Sequence, residues 1–484
     1  MAIEPAIPRA RLLRRQVLTD QDISSIQQSS LAVLEKVGIL IEHPRALALL
    51  AEAGAAVNPD SQHAKIPAAL VEKALRTVPS EFLLAGQDPS RDVVIGHDSP
   101  PRGRPVMSLD WIVDYGTKKR REVTRKDLEA WVRVAESLPN LPLVTGVYPW
   151  DVPLETRDVW AAEAMLRLAT KPILMAPFSG RTVLWLSRML NTLPDQRAPK
   201  AVIFASCNSP LIYSHGQMDA VLGAAKYDLP VMVNSSAVTG ATAPVSLAGT
   251  LVVMNAEILA GIVVAQLAKP GTKVIYARHP VVLDMHTSIV SMGYTEVGLL
   301  AAALVDLGRS YGIPTASNGL TTDSHACDEQ AAVEKMITGY SAVLSGAVLN
   351  GGAGSLATVG TASLEQLVID DDIYERILRM CRGIDCNPET LAFDVIEAVG
   401  PNRHYLAEPH TLEYLRREFS FSKLATRLNS EAWIESGAKD CVELAADRVD
   451  SILSSPAEPR LDPPVLHELR RLVATAEQEE KQAA

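Results

Sequence analysis

The composition and charge of the 484-residue chain exclude several classes of protein. The length predicts two or three domains, or one barrel with additions. Apolar residues make up 47% and charged residues 21%, which is typical of a globular protein. The net charge is −11 and Lys and Arg form no block, so we do not expect nucleic acid as a partner. The five cysteines are too sparse for a disulfide framework, and the isolated Cys381–Cys386 pair lacks the second pair of a structural zinc site.

One apolar stretch, residues 246–268, approaches the length of a membrane span. Asn255, Glu257 and Gln266 interrupt it, which favours a buried helix in a large α/β core. No apolar segment follows the arginines at the N-terminus, so we expect no secretory signal. These features and the acidic charge balance predict a cytoplasmic protein without a membrane partner.

The N-terminal part of the chain, residues 1–140, is predicted to form a cap. Residues 19–85 contain three short helical patterns, of which the first begins at the capping residue Thr19 and ends at Gly38. Residues 91–123 contain β-prone pieces around a polar turn. We interpret them as a β-hairpin or small sheet that covers one end of a barrel.

From residue 141 to about 360 the sequence alternates between short apolar runs and segments with helical periodicity. Eight such steps are typical of an α/β fold of the (β/α)8 TIM-barrel type, and a doubly wound sheet is the alternative. We assign residues 141–400 to the barrel and residues 401–484 to a C-terminal helical extension. The predicted strands cover residues 143–148, 173–178, 201–205, 231–233, 274–277, 313–316, 343–349 and 355–359.

The stretch from Pro314 to Gly354 has the densest polar loop of the chain and is central to the predicted site. A short strand ends near Ser317, a polar loop follows, and helical spacing begins near Val333. In parallel α/β folds, the loop after a strand's carboxyl end holds binding and catalytic groups. The chain contains no P-loop, dinucleotide-binding, metalloprotease or nucleophile-elbow motif, so nucleotide-binding and hydrolase functions lack support.

Polar and aromatic residues follow most of the predicted strands. Cys207-Asn-Ser follows the third strand and Asn234-Ser-Ser follows the fourth. Because the carboxyl ends of parallel strands meet at one end of the fold, we expect such residues to lie close together. The candidates for the site, in chain order, are Tyr148, Trp150, Phe178, Glu257, Tyr276, Arg278, His279, Asn318, Asp323, His325 and Gln330.

Each candidate also has a structural explanation. Aromatic rings at strand ends often cover a core, and Asp323 and Asp328 can cap the helix that follows them. Glu257, inside an apolar helix, is an ion-pair partner, a tether for a loop or a catalytic group. His279 can be an ordinary hydrogen-bonded histidine. Aromatic residues make up only 5% of the chain, which gives more weight to several of them at one rim.

An aromatic rim with nearby carboxylates suits a quaternary ammonium ion. Such a cation has no N–H group to donate. It must therefore be held by the faces of aromatic rings and by negative charge. The residues alone make this ligand a physical possibility.

Several long motifs occur in order along the chain. The strongest are Gly240-Ala-Thr-Ala-Pro-Val-Ser-Leu-Ala-Gly-Thr, Thr322-Asp-Ser-His-Ala-Cys-Asp-Glu-Gln-Ala and Ser363-Leu-Glu-Gln-Leu-Val-Ile-Asp, with Ser209-Pro-Leu and Asp114-Tyr-Gly beside them. Through these motifs the sequence resembles the trimethylamine methyltransferase family of corrinoid-dependent methyltransferases, in its branch without pyrrolysine. The resemblance covers nearly the whole chain.

The resemblance implies a (β/α)8 barrel that moves a methyl group from a methylated amine to the cobalt of a corrinoid. A separate small corrinoid protein holds that cofactor, so the chain is expected to bind no cofactor tightly and to have no metal ligands. Pyrrolysine, the trimethylamine-specific residue of the archaeal branch, falls near His325 or Ala326, where this chain has standard residues. Members without pyrrolysine resemble demethylases of quaternary amines such as glycine betaine.

The reaction implied by the resemblance is a nucleophilic displacement from R–N⁺(CH₃)₃ to Co(I), for which the leaving tertiary amine needs no proton donor. We expect a homo-oligomer. Two alternatives stay open, a barrel enzyme that uses no corrinoid and a non-catalytic betaine-binding protein.

Each candidate residue has a predicted role in this reaction. The ring walls are Tyr148, Trp150, Phe178 and Tyr276, and the partner of a betaine carboxylate is Arg278 or His279. Asp323 and Glu257 supply catalytic charge or scaffold, and Asn318, His325 and Gln330 make further substrate contacts.

Overall fold

The computed structural model of the chain describes residues 14–456 and 460–483. Arg9 and Arg11, on which the expectation of no secretory signal partly rests, lie outside the described residues. The first helix begins where the sequence predicts, with Thr19 and Asp22 forming a reciprocal capping box. The N-terminal elements are α1 (Asp20–Ala32), β1 (Ile39–Ile41), α2 (Pro44–Glu52), β2 (Ala56–Asn58), β3 (His63–Lys65) and α3 (Ala68–Leu75).

Two antiparallel hairpins follow, as the β-prone pieces predict. In the second hairpin the Asp114 carboxylate accepts a hydrogen bond from the Thr117 amide at 2.7 Å, which fixes the turn. A strand that belongs to the main sheet lies between the two hairpins. The elements of this region are β4 (Glu81–Leu84), β5 (Val93–Gly96), β6 (Arg102–Pro105), β7 (Trp111–Val113), β8 (Arg120–Glu122) and α4 (Arg125–Ser137).

The central region alternates between strands and helices. Its helices are α5 (Arg157–Leu168), α6 (Gly180–Leu190), α7 (His215–Lys226), α8 (Leu247–Ala268), α9 (Thr295–Ser310), α10 (Glu329–Leu344) and α11 (Leu364–Arg382). Its strands are β9 (Ile173–Met175), β10 (Ala201–Cys207), β11 (Ile212–Tyr213), β12 (Val231–Ser235), β13 (Val238–Thr239), β14 (Val274–Arg278), β15 (Val281–Asp284), β16 (Ile289–Ser291), β17 (Thr315–Asn318), β18 (Leu349–Ala353), β19 (Ser355–Leu356) and β20 (Thr361–Ala362).

The main sheet has seven parallel strands in the order β6, β18, β17, β14, β12, β10 and β9. Helices connect most of these strands, which defines an α/β fold. In this arrangement the carboxyl ends of all seven strands lie at the same end of the sheet.

The segment around Val144 forms backbone hydrogen bonds near both outer strands of the main sheet. Val144 forms an isolated parallel bridge with Ile173 of β9. On the other side, the Gly103 amide of β6 donates to the Asn140 carbonyl at 3.1 Å, and the Ser108 amide donates to the Gly146 carbonyl at 2.8 Å. The first predicted strand is therefore not a regular strand of the main sheet, and it forms one isolated bridge with β9.

Of the last two predicted strands, one begins later than predicted and the other belongs to a different sheet. Residues 343 and 344 end helix α10, and the strand begins only at Leu349. Ser355–Leu356 is paired in a small separate sheet with β20, β7 and β8. The remaining strand of the main sheet is β6, Arg102–Pro105, which lies within the region predicted as the cap. Its two arginines, glycine and proline show no apolar pattern, so pairing with β18 decides its conformation.

The hairpin β4–β5 closes the amino-terminal side of the sheet interior. Phe82 and Ile95 of this hairpin pack in one apolar cluster with Leu174, Val202 and Ile275. These last three residues are each the second residue of a strand of the main sheet. Apolar side chains therefore fill the interior near the beginning of the strands. The interior near the carboxyl ends is left to polar and aromatic residues.

Two small sheets lie at the carboxyl ends of the main strands. One contains β13, β15 and β16, and the other contains β19, β20, β7 and β8. At the N-terminus, β11 pairs with β1 in a further sheet with β3 and β2. The loops after β12, β14 and β18 are therefore ordered by strand pairing.

Helix α8 is mostly buried, as its interrupted apolar sequence predicts. Within the described residues it is one helix that is long and apolar enough to cross a membrane by length and composition. Its Asn255, Glu257 and Gln266 are buried, and all three form hydrogen bonds. These polar groups have partners inside the protein.

The C-terminal region is helical. Helix α16 packs against α4 and α11, and helix α17 packs against α5 and α6, so this region covers one side of the central fold. The bounds are α12 (Pro388–Leu391), α13 (Phe393–Val399), α14 (Pro409–Glu418), α15 (Ser430–Glu435), α16 (Cys441–Ser454) and α17 (Pro463–Ala483).

Candidate functional site

Aromatic side chains form a rim where the first two predicted strands end. The rings of Tyr148 and Phe178 meet edge to face, with their centroids 5.3 Å apart. The Arg157 guanidinium lies 4.6 Å from the Trp150 ring centroid and 5.9 Å from that of Phe178. The structure therefore brings together three of the four predicted ring walls.

The rim combines a fixed ring with two exposed ones. Tyr148 is 4% exposed and its hydroxyl donates to the Ala176 carbonyl. Trp150 and Phe178 are each 42% exposed, and the Trp150 indole donates to the Asp110 carbonyl at 3.0 Å. The Arg157 guanidinium covers part of these two rings, and the exposed remainder is open to a ligand or partner.

A buried carboxylate fixes the loop that carries Phe178. Asp158 accepts hydrogen bonds from the Phe178 amide at 2.8 Å and from the Thr182 hydroxyl at 2.7 Å. Burial raises the pKa of Asp158 to about 6, although these hydrogen bonds act to lower it. Asp158 therefore positions Phe178 through its backbone.

Behind the rim, Phe204 and His279 form a stacked pair in the sheet interior. Their centroids are 5.3 Å apart with 20° between the ring planes. Burial, together with the positive charges of Arg104 and Arg278, lowers the pKa of His279 to about 3, so the imidazole is neutral. Its Nε2 atom is buried and has no hydrogen-bond partner.

A polar group lies on the neighbouring strands β10 and β12. The Asn234 side-chain amide donates to the Ser206 and Ser236 hydroxyls, both at 2.9 Å. The Asn234 carbonyl oxygen is buried without a partner. Ser206 and Ser236 are half-buried, so the interior is not packed solid at this level.

The Arg104 side chain of β6 is also buried in the sheet interior. Its guanidinium donates to the Asn318 side-chain carbonyl at 3.2 Å and to the Pro105 carbonyl at 3.3 Å. Burial lowers the pKa of Arg104 to about 10, which leaves it charged at neutral pH. The predicted candidate Asn318 is therefore in the site, and Arg104 is its direct partner.

Glu257 is a tether for a loop, one of the alternatives that the sequence left open. Its buried carboxylate accepts from the Ser209 hydroxyl at 2.8 Å, the Leu211 amide at 2.8 Å and the Ser235 hydroxyl at 2.5 Å. Burial raises its pKa despite these bonds. It joins the loop after β10 to the end of β12.

Asp323 joins three loops at the carboxyl ends of the strands. It accepts from the Met292 amide at 2.9 Å, the Gly293 amide at 3.1 Å and the Thr358 hydroxyl at 2.9 Å, and also from the Ser291 hydroxyl. Asp328, in contrast, caps helix α10 by accepting from the Ala331 amide. Of the two aspartates, only Asp328 has the capping role.

The turn that Asp323 holds has an unusual backbone. Ala357, Thr358 and Val359 all have φ between 50° and 60°, the left-handed region that non-glycine residues rarely occupy. The Ala357 and Thr358 amides donate to carbonyls of the Asp323 loop at 2.7 and 2.9 Å. The two loops therefore hold each other in place.

Two predicted site residues face away from the interior, and two others are exposed on the Asp323 loop and at the start of α10. The Tyr276 hydroxyl bonds Asn255 of α8 at 2.9 Å, and Arg278 donates to the Ala301 carbonyl of α9, so both face the outer helices. This placement removes Tyr276 from the ring wall and Arg278 from the pair proposed to bind a carboxylate. His325 and Gln330 are exposed, and Gln330 donates to Glu334 at 3.0 Å.

The alternation of a β-strand explains these corrections. Side chains one residue apart point to opposite faces, so Tyr276 and Arg278 share the outer face of β14, whereas Ala277 and His279 face the interior. The same alternation along β10 could have identified Phe204. Arg104 offered no such signal, because its strand has no apolar pattern.

No group of three or more His, Cys, Asp or Glu side chains is arranged to hold a metal ion within residues 14–456 and 460–483. All five cysteines are free.

The fold and site describe an α/β protein with a polar interior that opens at the carboxyl ends of its strands. The sequence profile of the trimethylamine methyltransferase (MTTB) family matches residues 4–481. The chain belongs to this family, and it is a methyltransferase.

Two relatives illustrate the range of the family. The chain is 32% identical to the trimethylamine methyltransferase MttB of Desulfitobacterium hafniense (strain DSM 10664 / DCB-2), over 95% of this chain and 94% of the relative. It is also 32% identical to the glycine betaine methyltransferase of D. hafniense (strain Y51), over 96% and 97%.

The fold has a counterpart among solved structures. The Methanosarcina barkeri monomethylamine methyltransferase (MtmB) aligns with a TM-score of 0.51 over 92% of this chain and 96% of that chain. The two sequences are 14% identical, so the likeness concerns the fold alone.

Proposed function

We propose that the protein transfers a methyl group from a quaternary amine of the betaine type to the cobalt of a corrinoid carried by a separate small protein. The observation that carries this proposal is the grouping of Tyr148, Trp150 and Phe178 at the carboxyl ends of the strands, beside a polar interior. Ring faces hold a cation that cannot donate hydrogen bonds. The glycine betaine methyltransferase named above is consistent with such a substrate.

In this proposal the protein's own residues bind and orient the substrate. The rim rings hold the trimethylammonium group with one methyl group directed outwards. Asn318, His279 and the neighbouring polar groups contact the rest of the molecule. Asp323 and Glu257 act by fixing the surrounding loops rather than by touching the substrate. The corrinoid supplies the Co(I) nucleophile, and the departing tertiary amine needs no acid.

We also propose that the main sheet and the segment around Val144 close into a (β/α)8 barrel. The backbone bonds of this segment to both outer strands support closure. The cap of residues 1–140 then contributes β6 to the barrel of residues 141–400, and residues 401–484 form the helical extension. We place the enzyme in the cytoplasm.

The corrinoid protein docks, in this proposal, on the exposed apolar residues around the opening. We call these residues the apolar collar. They lie on the rim and on the β15–β16 hairpin that follows β14, both at the carboxyl ends of the strands. Such a concentration of exposed apolar side chains is typical of a contact surface. The apolar collar consists of Trp150, Leu154, Phe178, Met285, Ile289 and Val290.

Incubation with a corrinoid protein in the Co(I) state tests the proposal. Glycine betaine and trimethylamine are supplied in parallel, and the formation of methyl-Co(III) is followed by absorbance. We expect a signal with glycine betaine. Absence of methyl transfer from any quaternary amine, together with a thermal shift on betaine addition, would favour the non-catalytic binding protein.

A further inference from the structure

Arg104 places a full positive charge in the interior of the sheet. Along β6, Gly103 faces outwards, since a Cβ atom there would lie 3.3 Å from Tyr374 of α11. Its neighbour Arg104 therefore faces inwards. A Cβ atom on the inward-facing Gly351 would lie 2.2 Å from the Arg104 Cζ atom, so the guanidinium lies directly on the glycine backbone. A side chain at position 351 would displace the guanidinium from this position.

The charge of Arg104 lacks a counterion. The residue is 1% exposed, and its two hydrogen bonds go to neutral oxygens of Pro105 and Asn318. Its buried Nε atom has no partner. Within the described part of the chain, no carboxylate lies within ion-pair distance of this guanidinium. A buried cation without a partner costs several kcal/mol, which a bound anion offsets.

The surroundings of Arg104 also favour an anion. His279 is neutral, so it adds no competing charge, and Nε2 of its ring is free to donate or accept. Asn318 already bonds Arg104 and can orient it. A guanidinium presents N–H groups in a fork that matches the two oxygens of a carboxylate. The free Nε and the neighbouring Nη form one edge of such a fork.

We infer that Arg104 binds the carboxylate of a zwitterionic quaternary ammonium substrate and thereby selects betaines over amines that carry no acid group. This inference rests on the proposed function. The carboxylate lies in the interior at Arg104, and the methyl-bearing nitrogen points to the rim rings at the carboxyl ends of the strands. A substrate without a carboxylate leaves the buried guanidinium unpaired, which is the type of mismatch that gives strong discrimination.

Calorimetric titration of the full-length protein, without any corrinoid, tests the inference. The probes are glycine betaine and tetramethylammonium. We expect glycine betaine to bind at least about tenfold more tightly than tetramethylammonium, because a charged hydrogen-bonded pair typically contributes this much. Arg104→Met is expected to weaken betaine binding by about tenfold or more without weakening tetramethylammonium binding. Arg104→Lys should recover part of the affinity.

Arg102→Gln is the matched control, because it removes a guanidinium from the same strand, two residues earlier, and should leave betaine affinity unchanged. Equal affinity of the unaltered protein for the two probes would overturn the inference without any variant, and so would unchanged betaine binding in Arg104→Met. Betaine binding that depends on Arg104 but leads to no methyl transfer would contradict the proposed function alone. Methyl transfer that is insensitive to Arg104→Met would contradict the inference alone.

Discussion

Phe178 is the rim residue whose ring can be removed with the least damage to the fold. It is 42% exposed, so truncation leaves no buried cavity, and its loop is held through the backbone by Asp158. We expect Phe178→Ala to weaken glycine betaine binding roughly two- to thirtyfold, because a cation–ring contact contributes about 0.5–2 kcal/mol. Calorimetry measures the affinity, and the melting temperature should be unchanged.

Phe178→Tyr is the control for this change, since it keeps the ring face and should retain affinity. Betaine binding in Phe178→Ala equal to that of the unaltered protein would count against a role for this ring.

The neutral state of His279 predicts a specific dependence of stability on pH. Its folded-state pKa of about 3 lies below its ordinary value of 6.5. The unfolded chain therefore binds the extra proton first, and stability falls as the pH falls below 6.5. The contribution is about 1.4 kcal/mol per pH unit, or roughly 2 kcal/mol at pH 5.

His279→Phe keeps a ring against Phe204 but cannot titrate. Urea unfolding of both proteins at pH 7.5 and pH 5 should show a smaller loss of unfolding free energy in the variant. Other titrating groups, such as Asp158, are present in both proteins, so their contributions to the pH dependence of the unfolding free energy cancel in the comparison. Equal losses in the two proteins would contradict the neutral, buried state of His279.

At the scale of elements, Asp323 should control the mobility of the turn of residues 357–359. Three successive left-handed residues cost about 1 kcal/mol or more each, and the Asp323 loop offsets that cost. In Asp323→Ala, amide hydrogen exchange at Met292, Gly293 and Thr358 should become at least about tenfold faster. Mass spectrometry of peptic fragments measures it.

Asp328→Ala serves as the control, because Asp328 caps helix α10 and does not contact the turn. It should accelerate exchange only near Ala331. Unchanged exchange at Thr358 in Asp323→Ala would contradict the coupling between the two loops.

The elements that the sequence predicted well are those in which local pattern and tertiary pairing agree. Strands β9, β10, β12 and β14 are continuous apolar runs that are buried on both faces, so composition alone identifies them. Strands β6 and β18 contain Arg-Gly-Arg-Pro and Asn-Gly-Gly, and they become strands through pairing, β6 with β18 and β18 also with β17. Arg104 was missed as a site residue for the same reason, because it lies on one of these two strands.

At the scale of the whole molecule, exposed apolar side chains predict self-association. Half of the large apolar side chains that are exposed in the described residues fall between Met380 and Ile434, from the last turn of α11 to α15. We propose that this surface joins copies of the chain. Light scattering should give a mass that is a multiple of the 52.2 kDa chain.

The double variant Phe393→Ser with Leu406→Ser should shift the mass towards the single chain, because both side chains are more than two-thirds exposed in one copy. Leu299→Ser, on α9, is the control and should have no effect. A single-chain mass for the unaltered protein would contradict this interface.

The most direct test of the account is one turnover of methyl transfer. The protein, glycine betaine and a Co(I) corrinoid protein are mixed, and methyl-Co(III) absorbance and dimethylglycine are measured together. We expect one dimethylglycine for each methyl-cobalt formed, and a weaker signal when tetramethylammonium replaces betaine. Absence of both products with every quaternary amine supplied, under conditions in which the corrinoid stays in the Co(I) state, would contradict it.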